Sequence, residues 1–142
     1  MIWVIRGLVV LVGVVGLVAA VGWLLPVGHE ASRSAAFNRP PAEVFALITD
    51  QKNYSTWWAG DSVKSEVVEN VPPSRFVTRI VGETSFGGTW TFDITPTAGG
   101  SRLSITERGE IYNVVFRALA RFVFGYTGTM DSFLAAAQQR LK

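Results

Sequence analysis

Three hydrophobic periods follow one another along the chain. Residues 7–28 form 22 consecutive uncharged positions directly after Arg6, and 13 of them are Leu or Val. As a helix this run is about 33 Å long, enough to cross a hydrocarbon core of about 30 Å. The Leu and Val content is worth about −4 to −8 kcal/mol on the membrane-insertion scale. Trp3 and Trp23 stand near its two ends, where interfacial aromatics belong. The period then changes. Residues 31–37 alternate small polar and apolar side chains as a strand does, and Asn38-Arg39-Pro40-Pro41 ends them. Residues 41–48 read as a short helix with Val44, Leu47 and Ile48 on one face and Pro in its first turn. Asp50 is placed to cap a second short turn through Tyr54 to Trp57.

After Gly60 the period is two. Strands are expected near 62–69, 75–82, 88–96 and 101–111. Phe76, Thr78 and Ile80 alternate with Val77, Arg79 and Val81, which predicts two semi-buried faces. Gly87-Gly88 interrupts the pattern, and Gly99-Gly100 supplies a hairpin turn. The last third returns to helical spacing, with Phe116, Leu119, Val123, Tyr126, Met130, Phe133, Ala137 and Leu141 recurring every three or four residues. Gly125 and Gly128 predict a bend or a meeting of two helices there. Arg117 and Arg121 share the opposite face, as a solvated stripe or as a contact with anionic headgroups. The apolar face of the last helix must be buried, and the sheet is the surface available to it. A curved sheet around such a helix leaves a cavity between them.

These periods divide the chain into a transmembrane anchor over 1–28 and one domain over 29–142. A cleaved signal peptide is the alternative for the first segment. However, the run exceeds the usual length of a signal's apolar region, and no small-x-small site closes it. Gly13 and Gly16 miss the four-residue spacing of a helix-pairing seam, so a monomer is expected. A short leader bearing Arg6 favours a cytoplasmic N-terminus and an extracytoplasmic domain.

Charge adds little. The chain carries 13 Lys and Arg against 11 Asp and Glu, too small a surplus for a nucleic-acid surface. There is no cysteine, which excludes disulfides, thiol nucleophiles and cysteine zinc sites. The one histidine, His29, is expected against the membrane, so neither a histidine metal site nor a serine triad is expected, and no cofactor either. Residues 82–88 lack the lysine and spacing of a phosphate-binding loop.

The motifs resemble those of the START/Bet v 1-like superfamily, also called SRPBCC or polyketide cyclase-like, in its membrane-anchored bacterial subset. The resemblance covers about residues 31–142. Its first part is the run from Asn38 to Asp50, similar to the superfamily's Ala-Pro/Pro-x-x-Val-aromatic-x-Leu-x-x-Asp strand-to-helix pattern, and Tyr54-Ser55-Thr56-Trp57-Trp58, similar to its second helix. Phe86-Gly87-Gly88-Thr89-Trp90-Thr91 and Leu103-Ser104-Ile105-Thr106-Glu107 resemble later strands. Gly109-Glu110-Ile111-Tyr112-Asn113, running on to Phe116-Arg117, resembles the approach to the last helix. The resemblance implies an α+β helix-grip fold, an antiparallel curved sheet around a long C-terminal helix. The full fold has seven strands and this chain offers about five, with no room for a hairpin between Trp58 and Val63. It is a compact version, whose cavity would be shallow, open on one side or filled by aromatics.

Among residues that could carry chemistry, Glu107 has the parity of Leu103, Ile105 and Ile111 and so faces inward. An acid against an apolar cavity is a candidate proton donor or acceptor. The alternatives are a solvent-facing strand end or a pair with Arg79 or Arg108. Gly109, next on that face, leaves space for a ligand or for the last helix. Phe45, Trp57, Trp58, Trp90, Phe92, Tyr112, Phe116 and Tyr126 complete the candidate ligand-binding set; they would line a pocket for a flat or lipid-like molecule, or serve as core. Adjacent Trp57 and Trp58 should not both face inward.

The leading expectation is a membrane-tethered, non-enzymatic binder of a hydrophobic small molecule or lipid. The alternatives are an interaction or scaffold module with a filled cavity and an exposed edge strand, and a cyclase-like enzyme using Glu107 or Tyr112, since this fold hosts both binders and enzymes.

Overall fold

The computed structural model describes residues 1–60 and 63–142. Its first element is α1 (Ile2–Leu24), a single apolar helix long enough to cross a membrane. The chain then passes into β1 (Gly28–Phe37), α2 (Pro41–Thr49) and a 3-10 turn over Gln51–Thr56. Four strands follow: β2 (Ser65–Val71), β3 (Arg75–Ile80), β4 (Phe86–Thr97) and β5 (Gly100–Ile111). The C-terminal third holds α3 (Val114–Leu119), a π turn over Ala120–Phe124 and α4 (Gly128–Arg140).

The five strands make one antiparallel sheet in the order β1-β5-β4-β3-β2. This is the shortened α+β helix-grip architecture, a curved sheet carrying helices on one face. Strand bounds differ from the periodicity in informative ways. β1 starts at Gly28, three residues earlier than the alternation suggests, because Gly28, His29 and Glu30 pair with Glu110, Gly109 and Arg108 of β5. The first residue of the strand expected over 62–69, Ser62, lies outside the described residues, and β2 carries a bulge between Val67 and Glu69. Gly87 and Gly88 belong to β4 rather than preceding it. Gly88 has φ 125°, and a Cβ there would stand 2.3 Å from the Arg108 carbonyl oxygen, so glycine lets β4 and β5 approach.

The inward face of the sheet and the helices share one core. Phe76, Phe92, Leu103 and Ile105 from the strands meet Val44 and Ile48 of α2 and Met130, Phe133 and Ala137 of α4. Val77 and Thr78 are buried beside Phe76, so β3 is covered on both faces as its alternation predicts. Phe133 is the centre of the packing. Its ring centroid lies 5.1 Å from both Trp57 and Trp58, 5.3 Å from Tyr54, 5.7 Å from Phe92 and 5.9 Å from Trp90. Adjacent Trp57 and Trp58 reach the same side chain, but only Trp58 is buried; Trp57 is half-buried. The chain leaves the 3-10 turn at Trp57 with φ −137°, which breaks the parity that would separate them. Asp50 stands at the N-cap of that turn, where its carboxylate accepts from the Asn53 side chain at 2.8 Å.

The expected long C-terminal helix is two helices. Gly125, at φ 71°, ends the π turn, and α4 starts three residues later. The helical face read from spacing divides accordingly: Met130, Phe133 and Ala137 are core, while Phe116 and Val123 are exposed. Asn113 caps α3 by accepting from the Phe116 amide at 2.9 Å. Arg117 is buried, not part of a solvated stripe with Arg121. Its guanidinium donates to the carbonyls of Gly22 and Leu25 at the end of α1, at 3.0 and 3.2 Å. It donates also to those of Ile111 and Tyr112 at the end of β5, at 2.8 and 3.2 Å. A helix C-terminus leaves carbonyls without intrahelical partners and carries partial negative charge, and one arginine here serves both needs. Gly22 permits the close packing: a Cβ there would lie 1.7 Å from the Val114 carbonyl oxygen.

Candidate functional site

A cavity of about 830 Å³ lies between the sheet, the 3-10 turn and the C-terminal helices. Its size falls in the range of small-molecule sites. Trp90 and Phe92 of β4, Thr78 and Ile80 of β3, and Phe133 of α4 form its apolar walls. Trp58, Phe116 and Tyr126 border it as well.

Gln51, Lys52, Lys64 and Ser65 border the cavity on one side, and a second polar cluster, around Glu107, faces this space. Glu107 and Trp90 are cross-strand partners, and the Trp90 indole Nε1 donates to Glu107 Oε2. Glu107 Oε1 lies 2.7 Å from His29 Nε2. His29 stands two residues along β1 from Ala31, the strand partner of Glu107, so the imidazole and the carboxylate come from neighbouring positions on one face. The His29 ring lies over Gly109, where a Cβ would come within 2.3 Å of Cε1. The close approach at Gly109 is made by the histidine ring, and Gly109 also borders the cavity. On its other side the ring stacks on Tyr126, with centroids 4.0 Å apart and planes at 16°. His29 Nδ1 is buried without a protein partner among the described residues.

Glu107 is thus inward-facing, as its parity predicts, but its partners are His29 and Trp90 rather than Arg79 or Arg108. Those arginines pair with Glu66 and Glu30 on the exposed face. Glu107 Oε2 accepts from the Trp90 indole N–H, and Oε1 accepts from His29 in the tautomer that carries its proton on Nε2; the histidine links the acid to the stacked tyrosine. Such an arrangement can fix the polar end of a ligand or pass a proton between Glu107 and His29. Among the described residues no three His, Asp or Glu side chains converge as a metal site requires.

Of the remaining expected site residues, Trp58, Trp90, Phe92, Glu107, Phe116 and Tyr126 line the cavity. Phe45 does not; it is core, with its ring 6.4 Å from that of Phe76. Trp57 packs against Tyr54 and Phe133. Tyr112 shares parity with Glu110 on the other face and donates to it; that hydrogen bond, chiefly, pushes the phenol's pKa upward. The residue that sequence reasoning missed is His29. Its parity with Ala31, Ala35 and Phe37 is visible in the sequence, but it abuts the apolar segment and reads as a membrane-proximal linker.

No protein-family model matches the chain, and no curated protein matches it in sequence. Solved structures match its shape. A START superfamily protein from Mycobacterium smegmatis superposes with TM-score 0.62 at 13% identity, covering 80% of this chain and 97% of that one. The Mll3558 protein from Rhizobium loti matches with TM-score 0.56 at 20% identity over 78% of this chain and 97% of its own. The di-domain ARO/CYC BexL, from the BE-7585A biosynthetic pathway, matches with TM-score 0.62 at 9% identity. There the match covers 87% of this chain and 53% of BexL. On these matches in shape the chain has the START/Bet v 1-like, SRPBCC-type fold.

Proposed function

We propose that this chain is a membrane-tethered domain that binds a hydrophobic small molecule or lipid in the cavity between its sheet and C-terminal helices. The observation that carries the reading is the cavity itself: about 830 Å³, walled largely by aromatic and aliphatic side chains, with a hydrogen-bonded polar cluster at Glu107, His29 and Trp90 and a second polar edge at Gln51 and Ser65. Largely apolar walls with a few polar groups suit a mostly apolar ligand that carries limited polar functionality. The open volume speaks against the scaffold alternative with a filled interior. Fold likeness to START and ARO/CYC proteins is compatible with binding and does not name the ligand.

In this reading residues 1–28 are the anchor and 29–142 the binding domain. The segment Ile2–Leu24 is apolar apart from Arg6, and its lipid-length window is not buried against the rest of the chain. Arg6 at the start favours a cytoplasmic N-terminus and an extracytoplasmic domain. The test is native mass spectrometry of the full 15.5 kDa chain released from detergent. A single bound adduct of lipid or metabolite mass is expected. Bare protein that also takes up no neutral apolar dye would overturn the reading.

A second reading is favoured by the 2.7 Å contact of His29 with Glu107: an enzyme in which these two exchange a proton with a bound substrate. Glu107→Gln separates the two. It keeps an acceptor for Trp90, so a binder retains its adduct, whereas an enzyme accumulates unconverted ligand of altered mass.

A further inference from the structure

The element packed along α1 is α3. It shields Val18, Ala19, Val21 and Gly22, the last turns of α1 before Leu24, and Arg117 ties the two together. Val18 lies five residues before Trp23, about 7 Å back along the helix axis. Any bilayer that contains α1 and has its boundary at Trp23 therefore also meets α3. The charge of Arg117 does not oppose this, because four backbone carbonyls enclose it.

The π turn continues α3 directly, and it carries three consecutive large apolar side chains that the protein leaves uncovered. Phe122 is 66% exposed, Val123 67% and Phe124 63%; Phe116, one turn back, is 43% exposed. Successive residues on a helical turn point in widely different directions. All three being bare means that the turn protrudes on most of its sides. A flat protein partner would cover one side of such a projection, whereas lipid surrounds it. Arg121, exposed beside Phe122 with its guanidinium carbon 5.5 Å from that ring's centroid, is long enough to reach headgroups while its stem stays with the apolar cluster. Phe116 and Phe124 also line the cavity, so the cavity reaches the surface at this same place.

We propose that the π turn, with Phe122, Val123 and Phe124, is immersed in the bilayer beside α1, so that the rim of the cavity at Phe116 and Phe124 opens onto lipid. The proposal rests on the reading of α1 as a membrane anchor. It adds a second contact point, which fixes how the domain stands on the membrane and which way its cavity faces.

The chain has no cysteine, so single-cysteine spin labels can be placed cleanly. The full chain is reconstituted in phosphatidylcholine–phosphatidylglycerol vesicles with a nitroxide at Val12→Cys, Val123→Cys, Phe124→Cys or Ala98→Cys. Each label is read by its accessibility to oxygen against a water-soluble nickel chelate. Ala98 lies in the β4–β5 turn, at the other end of β5 from the junction with α1, some 40 Å away at strand spacing. The expected result is an oxygen-to-nickel ratio at 123 and 124 at least about tenfold above that at 98 and close to that at 12. If 12 reads as lipid while 123 or 124 reads like 98, the immersion proposal is overturned and the anchor stands. If 12 itself reads like 98, the anchor reading has failed and this proposal falls with it.

Discussion

Tyr54 shows how one buried hydroxyl sets a pH limit on the fold. Its phenol sits among Trp57, Trp58 and Phe133 and donates to the Ile48 carbonyl, joining the 3-10 turn to the end of α2. Burial, and secondarily the Asp50 carboxylate, push its pKa well above the ordinary tyrosine value near 10. The sign follows from linkage. Below about pH 10 folded and unfolded chains both keep the proton, and the contribution is fully present. Above it the unfolded chain ionises while the folded one does not, so stability falls with rising pH until the folded value is passed. Thermal unfolding of the full chain between pH 8 and 11 should therefore show a decline beginning near pH 10. Tyr54→Phe should be less stable at pH 8 by about 1 kcal/mol, the usual net worth of a hydrogen bond. It should also decline less steeply; parallel alkaline slopes in the two proteins would refute the assignment. At this scale the sequence was legible where parity applies and silent where neighbours across strands decide. Glu107 facing inward could be read from its alternation with Ile105 and Ile111. Its partners could not, because the meeting of His29 with Glu107 depends on the β1–β5 register, and 78 residues separate the two.

At the scale of elements, the junction of α1, β5 and α3 turns on Arg117. Its side chain gathers carbonyls from residues 22, 25, 111 and 112, so it couples a helix end to a strand end. Arg117→Met keeps much of the apolar stem and removes every donor. Buried acceptors left without partners cost about 1–3 kcal/mol. The expected result is a destabilisation of that size. Amide exchange should also be faster at Leu25 and Ile111, whose N–H groups bond the Gly22 and Val27 carbonyls. Arg117→Lys should recover only part of this, since an ammonium lacks the planar fork that spans several acceptors. Wild-type exchange at both amides in the methionine variant would show that the junction holds without the arginine. Helical spacing alone made residues 116–141 look like one amphipathic helix, and Gly125 with Gly128 correctly marked the interruption. What the spacing could not convey is that the two parts serve different partners. α4 buries Met130 and Phe133 against the sheet, whereas α3 packs on α1 and leaves Phe116 half exposed.

For the whole molecule, the question is whether the interior volume is used or merely left over. The curvature of the sheet and α4 were legible as a helix-grip arrangement because strand alternation and motif order agree over nearly the whole domain. The cavity's dimensions were not, since they depend on how far Phe133 and the two tryptophans fill the concave face. Thr78 offers a way to change the volume alone. It is buried on β3, points into the cavity and pairs across the sheet with Trp90. Thr78→Phe places a ring in the cavity, and aromatic cross-strand pairs suit a sheet, so the fold should be retained. If the cavity holds a ligand, the fraction of chain carrying an adduct in native mass spectra should fall at least about tenfold, a loss near 1.4 kcal/mol of binding. Ala98→Phe, on the distant β4–β5 turn, should leave it unchanged. A Thr78→Phe chain with unaltered thermal stability and full adduct would place the bound molecule somewhere other than the space between sheet and helix. It would leave the apolar patch at the π turn, rather than the interior, as the part of the domain in contact with lipid.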